Sequence, residues 1–142
     1  MPHDLVLKTM NTLHRGILAL SGGRLGWEAD NMPVLELTTT GRKSGQSRAS
    51  MLTSPVQDGS TLVIVASRGG DDHHPAWFLN LQANPDVEVA LKGDAKKPMR
   101  ARILTGEERR ALWERVVAAN KRYAGYQSKT EREIPLVLLE PV

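Results

Sequence analysis

Short apolar segments with a period of two residues dominate the chain after Trp27, and they constrain its fold more than any other feature. Such alternation places one side of a segment in a core and the other in solvent, which is typical of β-strands. The candidate strands are residues 33–39, 50–56, 61–67, 87–91, 99–104 and 134–139. Hairpin sequences at Asp58-Gly59 and Lys92-Gly93-Asp94 predict antiparallel pairing. We therefore expect a mainly β fold with flanking helices (α+β), in which the sheet closes into a small barrel.

A basic turn with two glycines follows the first predicted strand. Its sequence is Thr38-Thr39-Thr40-Gly41-Arg42-Lys43-Ser44-Gly45-Gln46-Ser47-Arg48. Glycines permit sharp backbone geometry, so that N–H groups, hydroxyls and three cations can surround an oxyanion. The spacing matches neither a Walker loop nor the Gly-x-Gly-x-x-Gly dinucleotide pattern. The turn therefore predicts a phosphate site of another kind, and the alternative is an exposed hairpin whose charges only favour solubility.

Composition narrows the classes of function. The chain has 142 residues, which is the usual size of one domain, and we expect a single domain over residues 1–142. A net charge of +3 favours anionic ligands, whereas the aromatic content of 4% argues against nucleic-acid binding. The absence of cysteine excludes thiol catalysis and thiolate metal sites. The adjacent His73 and His74 lack the i, i+4 spacing of a helical metal site, so we expect no metal and expect both to face solvent.

Three helices are expected. Residues 4–20 form an amphipathic pattern whose apolar face could cover the barrel core, contact a second subunit or lie on a membrane surface. Residues 75–83 form a short helix opened by proline. Thr105 and Glu108 have the spacing of a capping box, and the apolar pattern continues to about Asn120. No signal peptide pattern or apolar run of about 18 residues is present, so a cytoplasmic protein is expected, with peripheral membrane association left open.

Two further segments are candidates for ligand contact. Val65-Ala66-Ser67-Arg68-Gly69-Gly70-Asp71 ends a strand with small residues, which lets backbone approach a flat ring; a flexible strand exit is the alternative. Trp77 and Asn80 share one face of the short helix and could line a pocket, although a tryptophan there is more often part of a core.

The two tyrosines of the chain, Tyr123 and Tyr126, lie just beyond the long helix. A phenolic hydroxyl can donate to an acceptor oxygen as that oxygen gains negative charge. Packing against the barrel explains these residues equally well. The sequence therefore predicts an electrophilic contact here without separating it from a structural role.

The ordered set of these motifs closely resembles the deazaflavin-dependent nitroreductase family of actinobacteria. The matching residues are Thr39-Thr40-Gly41-Arg42-Lys43-Ser44-Gly45 through Arg48, Ala66-Ser67-Arg68-Gly69-Gly70, Pro75-Ala76-Trp77-Phe78-Leu79-Asn80-Leu81, Ala83-Asn84-Pro85, Tyr123-Ala124-Gly125-Tyr126-Gln127-Ser128 and Ile134-Pro135. The resemblance covers about residues 33–142. It implies a split β-barrel similar to FMN-binding split barrels, and reduced coenzyme F420 as the cofactor.

The resemblance also implies roles for individual residues. The phosphate region of F420 would be held by Thr39, Thr40, Gly41, Arg42, Lys43, Ser44, Gly45 and Arg48. The ring system would be bordered by Ala66, Ser67, Arg68 and Gly69, with Trp77 and Asn80 completing the wall. Tyr126 is the first candidate for orienting the acceptor and Tyr123 the second. A homodimer is a reasonable expectation for the wider split-barrel group.

The implied reaction is hydride transfer from F420H2 to an electron-poor small molecule: a quinone, an activated enone or lactone such as a coumarin-type ring, or a nitroaromatic. Nitro-reducing members of the family carry Pro-Leu-Tyr where this chain has Met51-Leu52-Thr53, and an aromatic residue expected near Lys129 is missing. A wider acceptor pocket therefore favours an enone or quinone. An FMN-dependent oxidoreductase and a noncatalytic F420 carrier are the alternative functions.

Overall fold

The computed structural model describes residues 28–29, 32–91 and 94–142. The helix predicted over residues 4–20, and Lys92 and Gly93 of the second predicted hairpin, lie outside the described residues. The strands are β1 (Glu28–Ala29), β2 (Met32–Thr40), β3 (Ser47–Thr53), β4 (Val56–Asp58), β5 (Thr61–Val65), β6 (Asp86–Leu91), β7 (Lys97–Ile103) and β8 (Leu136–Pro141). The helices are α1 (Ala76–Ala83), α2 (Gly106–Ala119) and α3 (Arg122–Ser128), and residues Arg68–Gly70 form a 3-10 turn. None of these helices has both the length and the apolar character needed to cross a bilayer.

The strands form one curled antiparallel sheet. Its order is β3-β2-β6-β7-β8-β5-β4, and β1 pairs with the start of β2. Because β3 and β4 lie at opposite ends of this order but follow each other in the chain, the sheet must curl to bring its two ends near each other. The predicted Asp58-Gly59 hairpin is confirmed, since Asp58 lies opposite Thr61 and Gly59 has φ +60°. The mainly β, barrel-like fold expected from the sequence is confirmed, and it takes the form of a curled antiparallel half-barrel.

The single strand predicted over residues 50–56 is wrong, because the chain bends at Ser54 and Pro55 between β3 and β4. Proline has no N–H to donate to a strand ladder. The Ser54 hydroxyl instead donates to the Val56 carbonyl at 2.9 Å, and the Ser54 N–H donates to the Pro33 carbonyl at 3.0 Å. This bend carries the chain from one end of the sheet order to the other.

Apolar side chains and α1 fill the inside of the curled sheet. The buried members of this inner core are Leu35, Leu37, Leu62, Ile64, Ala66, Trp77, Phe78, Leu81, Val87, Val89, Met99, Ala101, Val137 and Leu139. Phe78 and Leu81 of α1 are almost fully buried, and the Trp77 ring meets the Phe78 ring edge-on with their centroids 6.4 Å apart. This packing fixes the position of α1, and therefore of Asn80 on the same helix.

The other face of β5 and β8 packs against α2 and α3. This outer core includes Val63, Val65, Leu112, Val116, Tyr123 and Leu136. The capping box predicted at the start of α2 is wrong, since Thr105 makes no side-chain capping bond. The Glu108 carboxylate instead accepts from Arg102 of β7 at 2.9 and 3.0 Å. The carboxylate predicted to cap the start of α2 is therefore bound by a residue of the neighbouring strand.

Candidate active site

The basic turn (residues 41–48) connects β2 to β3 and is closed by its own backbone. The Gly41 N–H donates to the Gln46 carbonyl at 2.7 Å, and the Gly45 N–H donates to the Gly41 carbonyl at 2.8 Å. Gly45 has φ +72°, which favours glycine. A Cβ at Gly41 would lie 3.2 Å from the backbone carbonyl oxygen of Gln46 and 2.7 Å from Ser44 Oγ. The path of the backbone therefore accounts for both glycines of the motif.

Asn80 of α1 holds the basic turn from inside the fold. Its Oδ1 accepts from the Arg42 N–H at 3.2 Å and from Arg42 Nη1 at 3.1 Å. Its Nδ2 donates to Thr39 Oγ1 at 3.2 Å, and the Thr39 hydroxyl donates to the Arg48 carbonyl at 3.5 Å. Asn80 and Thr39 are 5% and 2% exposed. The residue predicted to line a pocket is thus the anchor of the basic turn.

The outer surface of the basic turn has the chemistry of an anion site. Arg42, Lys43 and Arg48 are exposed, and none of them pairs with a carboxylate within the described residues. In the same part of the chain, the N–H groups of Lys43 and Ser44 have no hydrogen-bond acceptor. Free N–H groups in a turn, combined with fork-shaped and point-charge cations, suit a phosphate group. The residues present therefore fit a phosphorylated cofactor.

The strand-exit loop (residues 66–71) leaves β5 and leads towards α1. Arg68, Gly69 and Gly70 have φ values of +47°, +66° and +85°. The Arg68 guanidinium pairs with the Asp71 carboxylate at 2.8 Å, so its charge is engaged within the loop. A Cβ at Gly70 would lie 2.7 Å from the carbonyl oxygen of Tyr126. The loop predicted to border a ring is therefore in contact with the helix that carries Tyr126.

Arg132, a residue not singled out from the sequence, holds the strand-exit loop from the segment after α3. Its guanidinium donates to the carbonyls of Ala66, Ser67 and Asp71 at 3.2, 2.8 and 2.8 Å. Its Nη1 also lies 3.0 Å from His74 Nδ1. A guanidinium only donates hydrogen bonds, so Nδ1 is the acceptor.

The expectation that His74 faces solvent is wrong, whereas His73 is exposed. The His74 ring packs on the Phe78 ring with centroids 4.8 Å apart. Burial, followed by the nearby Arg132 charge, holds the pKa of His74 below its usual value. Its imidazole is therefore neutral at neutral pH, which suits its role as an acceptor for Arg132.

The tyrosines of α3 differ in what their hydroxyls contact. The Tyr123 hydroxyl is buried, 3.3 Å from Thr53 Oγ1 and 3.7 Å from Met32 Sδ. Tyr126 is half-buried, its ring meets the Tyr123 ring edge-on at 5.9 Å, and Lys129 Nζ lies 5.9 Å from its centroid. No described residue hydrogen-bonds to the Tyr126 hydroxyl. Of the two hydroxyls, that of Tyr126 is the one left for a ligand.

The predicted site residues fall into two groups. One contains Thr39, Thr40, Gly41, Arg42, Lys43, Ser44, Gly45, Arg48 and Asn80, and the other contains Ala66, Ser67, Arg68, Gly69 and Tyr126. Helix α1 connects them, because it follows the strand-exit loop and its Asn80 binds the basic turn. Trp77 lies in the inner core and is 9% exposed, and Tyr123 lies in the outer core.

Comparison with known proteins identifies relatives of this chain. Residues 12–141 match the model of the F420H2-dependent quinone reductase family. An F420H2-dependent quinone reductase of Mycobacterium tuberculosis is 41% identical over 133 residues, which cover 89% of this chain and 87% of the relative. A second protein of that organism, named a putative F420H2-dependent quinone reductase, is 36% identical over 78% of this chain and 91% of its own length.

A solved structure agrees with both the fold and the family. The F420H2-dependent reductase FDR-A is 45% identical, covers 76% of this chain and 94% of its own, and superimposes with a TM-score of 0.67. This match confirms the split-barrel fold. The match of the family over most of the chain, together with a basic turn that fits a phosphorylated cofactor, shows that this protein belongs to the F420H2-dependent quinone reductase family and is an oxidoreductase whose cofactor is coenzyme F420.

Proposed function

We propose that this protein transfers a hydride from F420H2 to a quinone, and that activated enones are accepted in the same site. The observation that carries the proposal is the basic turn anchored by Asn80, since its free N–H groups and its cations suit the phosphate of F420. The quinone is supported by the names of the mycobacterial relatives. When bound, F420H2 supplies the hydride, and the protein supplies binding and orientation.

The two groups of site residues divide the work of binding. The basic turn holds the phosphate region through the N–H groups of Lys43 and Ser44 and the charges of Arg42, Lys43 and Arg48. The strand-exit loop borders the ring system, with Trp77 of α1 supporting the same wall from the inner core. Since Asn80 of α1 binds the basic turn and α1 follows the strand-exit loop in the chain, one helix relates the two groups, which favours a fixed orientation of the reacting carbon.

Tyr126 is proposed to orient the acceptor. Its hydroxyl has no described partner, and its backbone lies against Gly70 of the strand-exit loop. A quinone oxygen gains negative charge as the ring is reduced, and a phenolic hydroxyl placed there stabilises that charge by donation. The proton that completes the two-electron reduction comes from this hydroxyl or from water. Tyr123 is the weaker candidate, because its hydroxyl is held between Thr53 and Met32.

The side chains near Tyr126 favour a quinone or a coumarin-type enone over a nitroaromatic acceptor. Thr53 is the last residue of β3, and nitro-reducing members of the deazaflavin-dependent nitroreductase family carry tyrosine at this position. The Thr53 hydroxyl contacts the Tyr123 hydroxyl. Lys129 places an ammonium group beside the Tyr126 ring where another aromatic residue is expected. Fewer aromatic walls leave more room beside the ring of the cofactor, so we rank quinones and coumarin-type enones above nitroaromatics.

A parallel titration with oxidised F420 and with FMN tests this function, followed by oxidation of F420H2 in the presence of menadione, a coumarin-type enone and a nitroimidazole. We expect selective binding of F420 and oxidation that depends on menadione. Binding without turnover would replace the reductase by an F420 carrier, and preference for FMN would replace the cofactor.

Replacing both Arg42 and Lys43 with alanine should weaken F420 binding about tenfold, because two exposed cations that face the phosphate are lost while the backbone remains. The dissociation constant is measured by fluorescence titration at two ionic strengths. Arg110→Ala combined with Arg115→Ala removes the same charge from the exposed face of α2 and serves as the control. An equal loss of affinity in both double variants would show that the turn acts only through net charge, and no loss in either would show that these two cations do not hold the phosphate.

Tyr126→Phe should lower kcat for menadione about fivefold to tenfold, which corresponds to the loss of one hydrogen bond of about 1 kcal/mol. Affinity for F420 should remain unchanged, because the phenyl ring and the backbone are kept. Steady-state kinetics of Tyr126→Phe and Tyr123→Phe distinguish the two candidates. A loss of kcat confined to Tyr123→Phe would transfer the role to that residue.

We also propose that the protein forms a homodimer. A solved structure described as a domain-swapped dimer is 39% identical, covers 99% of this chain and all of its own, and has a TM-score of 0.69. Light scattering coupled to size-exclusion chromatography measures the mass directly. A species of 15.6 kDa at every concentration would exclude the dimer.

A further inference from the structure

Arg132 crosses from the segment after α3 to the strand-exit loop, about sixty residues earlier in the chain. We propose that Arg132 is a positioning residue, which sets the backbone of Ala66 and Ser67 in the place from which the loop borders the F420 ring. This proposal rests on the function proposed above, because it is the ring contact that the loop would orient. In this role Arg132 contacts neither cofactor nor acceptor and acts through the loop.

The hydrogen bonds of Arg132 use most of what a guanidinium offers. Nε donates to the Asp71 carbonyl, Nη2 donates to the Ser67 carbonyl, and Nη1 donates to both the Ala66 carbonyl and His74 Nδ1. Four of its five N–H donors are therefore engaged. The planar fork fixes the relative positions of all four acceptors, which lysine cannot do with one nitrogen on a flexible stem.

The Arg132 backbone is fixed to α3 as well. Gln127 of α3 donates from Nε2 to the Arg132 carbonyl at 2.7 Å, and its Oε1 accepts from the Ile134 N–H at 3.0 Å. The Thr130 hydroxyl donates to Asp72 Oδ1 at 2.8 Å, which adds a second tie to the loop region. Arg132 therefore joins the strand-exit loop to the helix that carries Tyr126, so the ring wall and the acceptor contact move as one unit.

The electrostatics agree with a geometric role. Burial is the largest influence and lowers the pKa of the Arg132 guanidinium, while the Asp71 and Asp72 carboxylates oppose that effect and Arg68 adds to it. Partial burial of this cation costs desolvation free energy, and its hydrogen bonds to main-chain carbonyls offset that cost. These same bonds hold the loop in one conformation. An arginine needed only for solubility would be solvated instead.

Arg132→Lys and Arg132→Gln test the proposal, with Arg110→Gln on the exposed face of α2 as the control. We expect both Arg132 variants to bind oxidised F420 about tenfold more weakly, and to keep a kcat for menadione about tenfold below that of the natural protein at saturating F420H2, because a misplaced ring is bound but poorly oriented. In contrast, the variant with alanine at both Arg42 and Lys43 should have the kcat of the natural protein at saturating F420H2. Full rescue by lysine would show that only charge matters and would overturn the proposal.

Two measurements made without cofactor test whether Arg132 holds the strand-exit loop, independently of catalysis. Amide hydrogen exchange in residues 66–71 should become faster in the Arg132 variants, and the pKa of His74 followed by NMR should rise in Arg132→Gln, because a nearby positive charge is removed. If Arg132→Gln does not fold, Arg132→Lys carries the exchange measurement, whereas the pKa of His74 should stay low in that variant because the positive charge is kept.

The outcomes separate this proposal from the function on which it rests. Faster exchange together with weaker F420 binding and lower kcat supports the positioning role. Faster exchange with unchanged F420 binding and unchanged kcat overturns it, and so does unchanged exchange. Failure of the natural protein itself to bind F420 overturns the proposed function, and the positioning role with it.

Discussion

Asn80→Ala should weaken F420 binding about a hundredfold, because a basic turn that has lost three hydrogen bonds to a buried anchor must order its N–H groups as well as its cations when the cofactor binds, at a cost of about 1–3 kcal/mol. Its Oδ1 accepts twice from Arg42, and its Nδ2 donates to the buried Thr39 hydroxyl. Without the amide, the Arg42 N–H loses the acceptor that sets the first residue of the anion site. The dissociation constant for oxidised F420 measures the loss, and circular dichroism checks that the fold persists.

Asn84→Ala is the matched control for this experiment. Asn84 lies just after the same helix, and its side chain accepts from the Asp86 N–H at 3.1 Å without touching the basic turn. The control should bind F420 normally. Asn80→Asp adds a second comparison, because it keeps an acceptor for Arg42 but brings negative charge beside the phosphate. Unchanged affinity in Asn80→Ala would mean that the turn keeps its shape without the anchor.

The sequence predicted the fold well where local pattern decides the structure. The period-two segments and the Asp58-Gly59 turn predicted the antiparallel sheet, and Pro75 predicted the start of α1. It failed where local pattern competes with a tertiary partner. At the start of α2, the spacing of Thr105 and Glu108 favours a capping box, but Arg102 on the adjacent strand binds Glu108 instead.

The candidate site was also predictable only where the residues that act together are close in the sequence. Residues 41–48 were identifiable because glycines and cations stand together in the sequence. The role of Asn80 was hidden, since its partners Thr39 and Arg42 lie 41 and 38 residues away. Arg132 stands in the charged run Lys129-Thr130-Glu131-Arg132-Glu133, which has the pattern of a solvated segment. Only the return of β8 to the sheet beside β5 brings that segment to the strand-exit loop.

The closeness of that loop to α3 makes Gly70 the most sensitive position in it. Gly70→Ala should lower the free energy of unfolding by about 3 kcal/mol, since a positive φ and displacement of a neighbouring backbone each add strain. Gly70 has φ +85°, and its added Cβ would lie 2.7 Å from the Tyr126 carbonyl oxygen and 3.1 Å from Lys129 Cβ. The carbonyl is part of α3 and cannot rotate away as a side-chain end could.

Urea unfolding of variants at two other glycines separates the cost of the positive φ from the cost of the close contact. Gly59 has φ +60° and no atom within 4 Å of an added Cβ, so Gly59→Ala should cost only about 1 kcal/mol. Gly125 lies in α3 with an open Cβ position, and Gly125→Ala should stabilise the protein by about 0.5–1 kcal/mol. If Gly70→Ala costs no more than Gly59→Ala, the contact with Tyr126 adds nothing. A larger cost, accompanied by a lower kcat for menadione, would link the packing of the loop to the position of Tyr126.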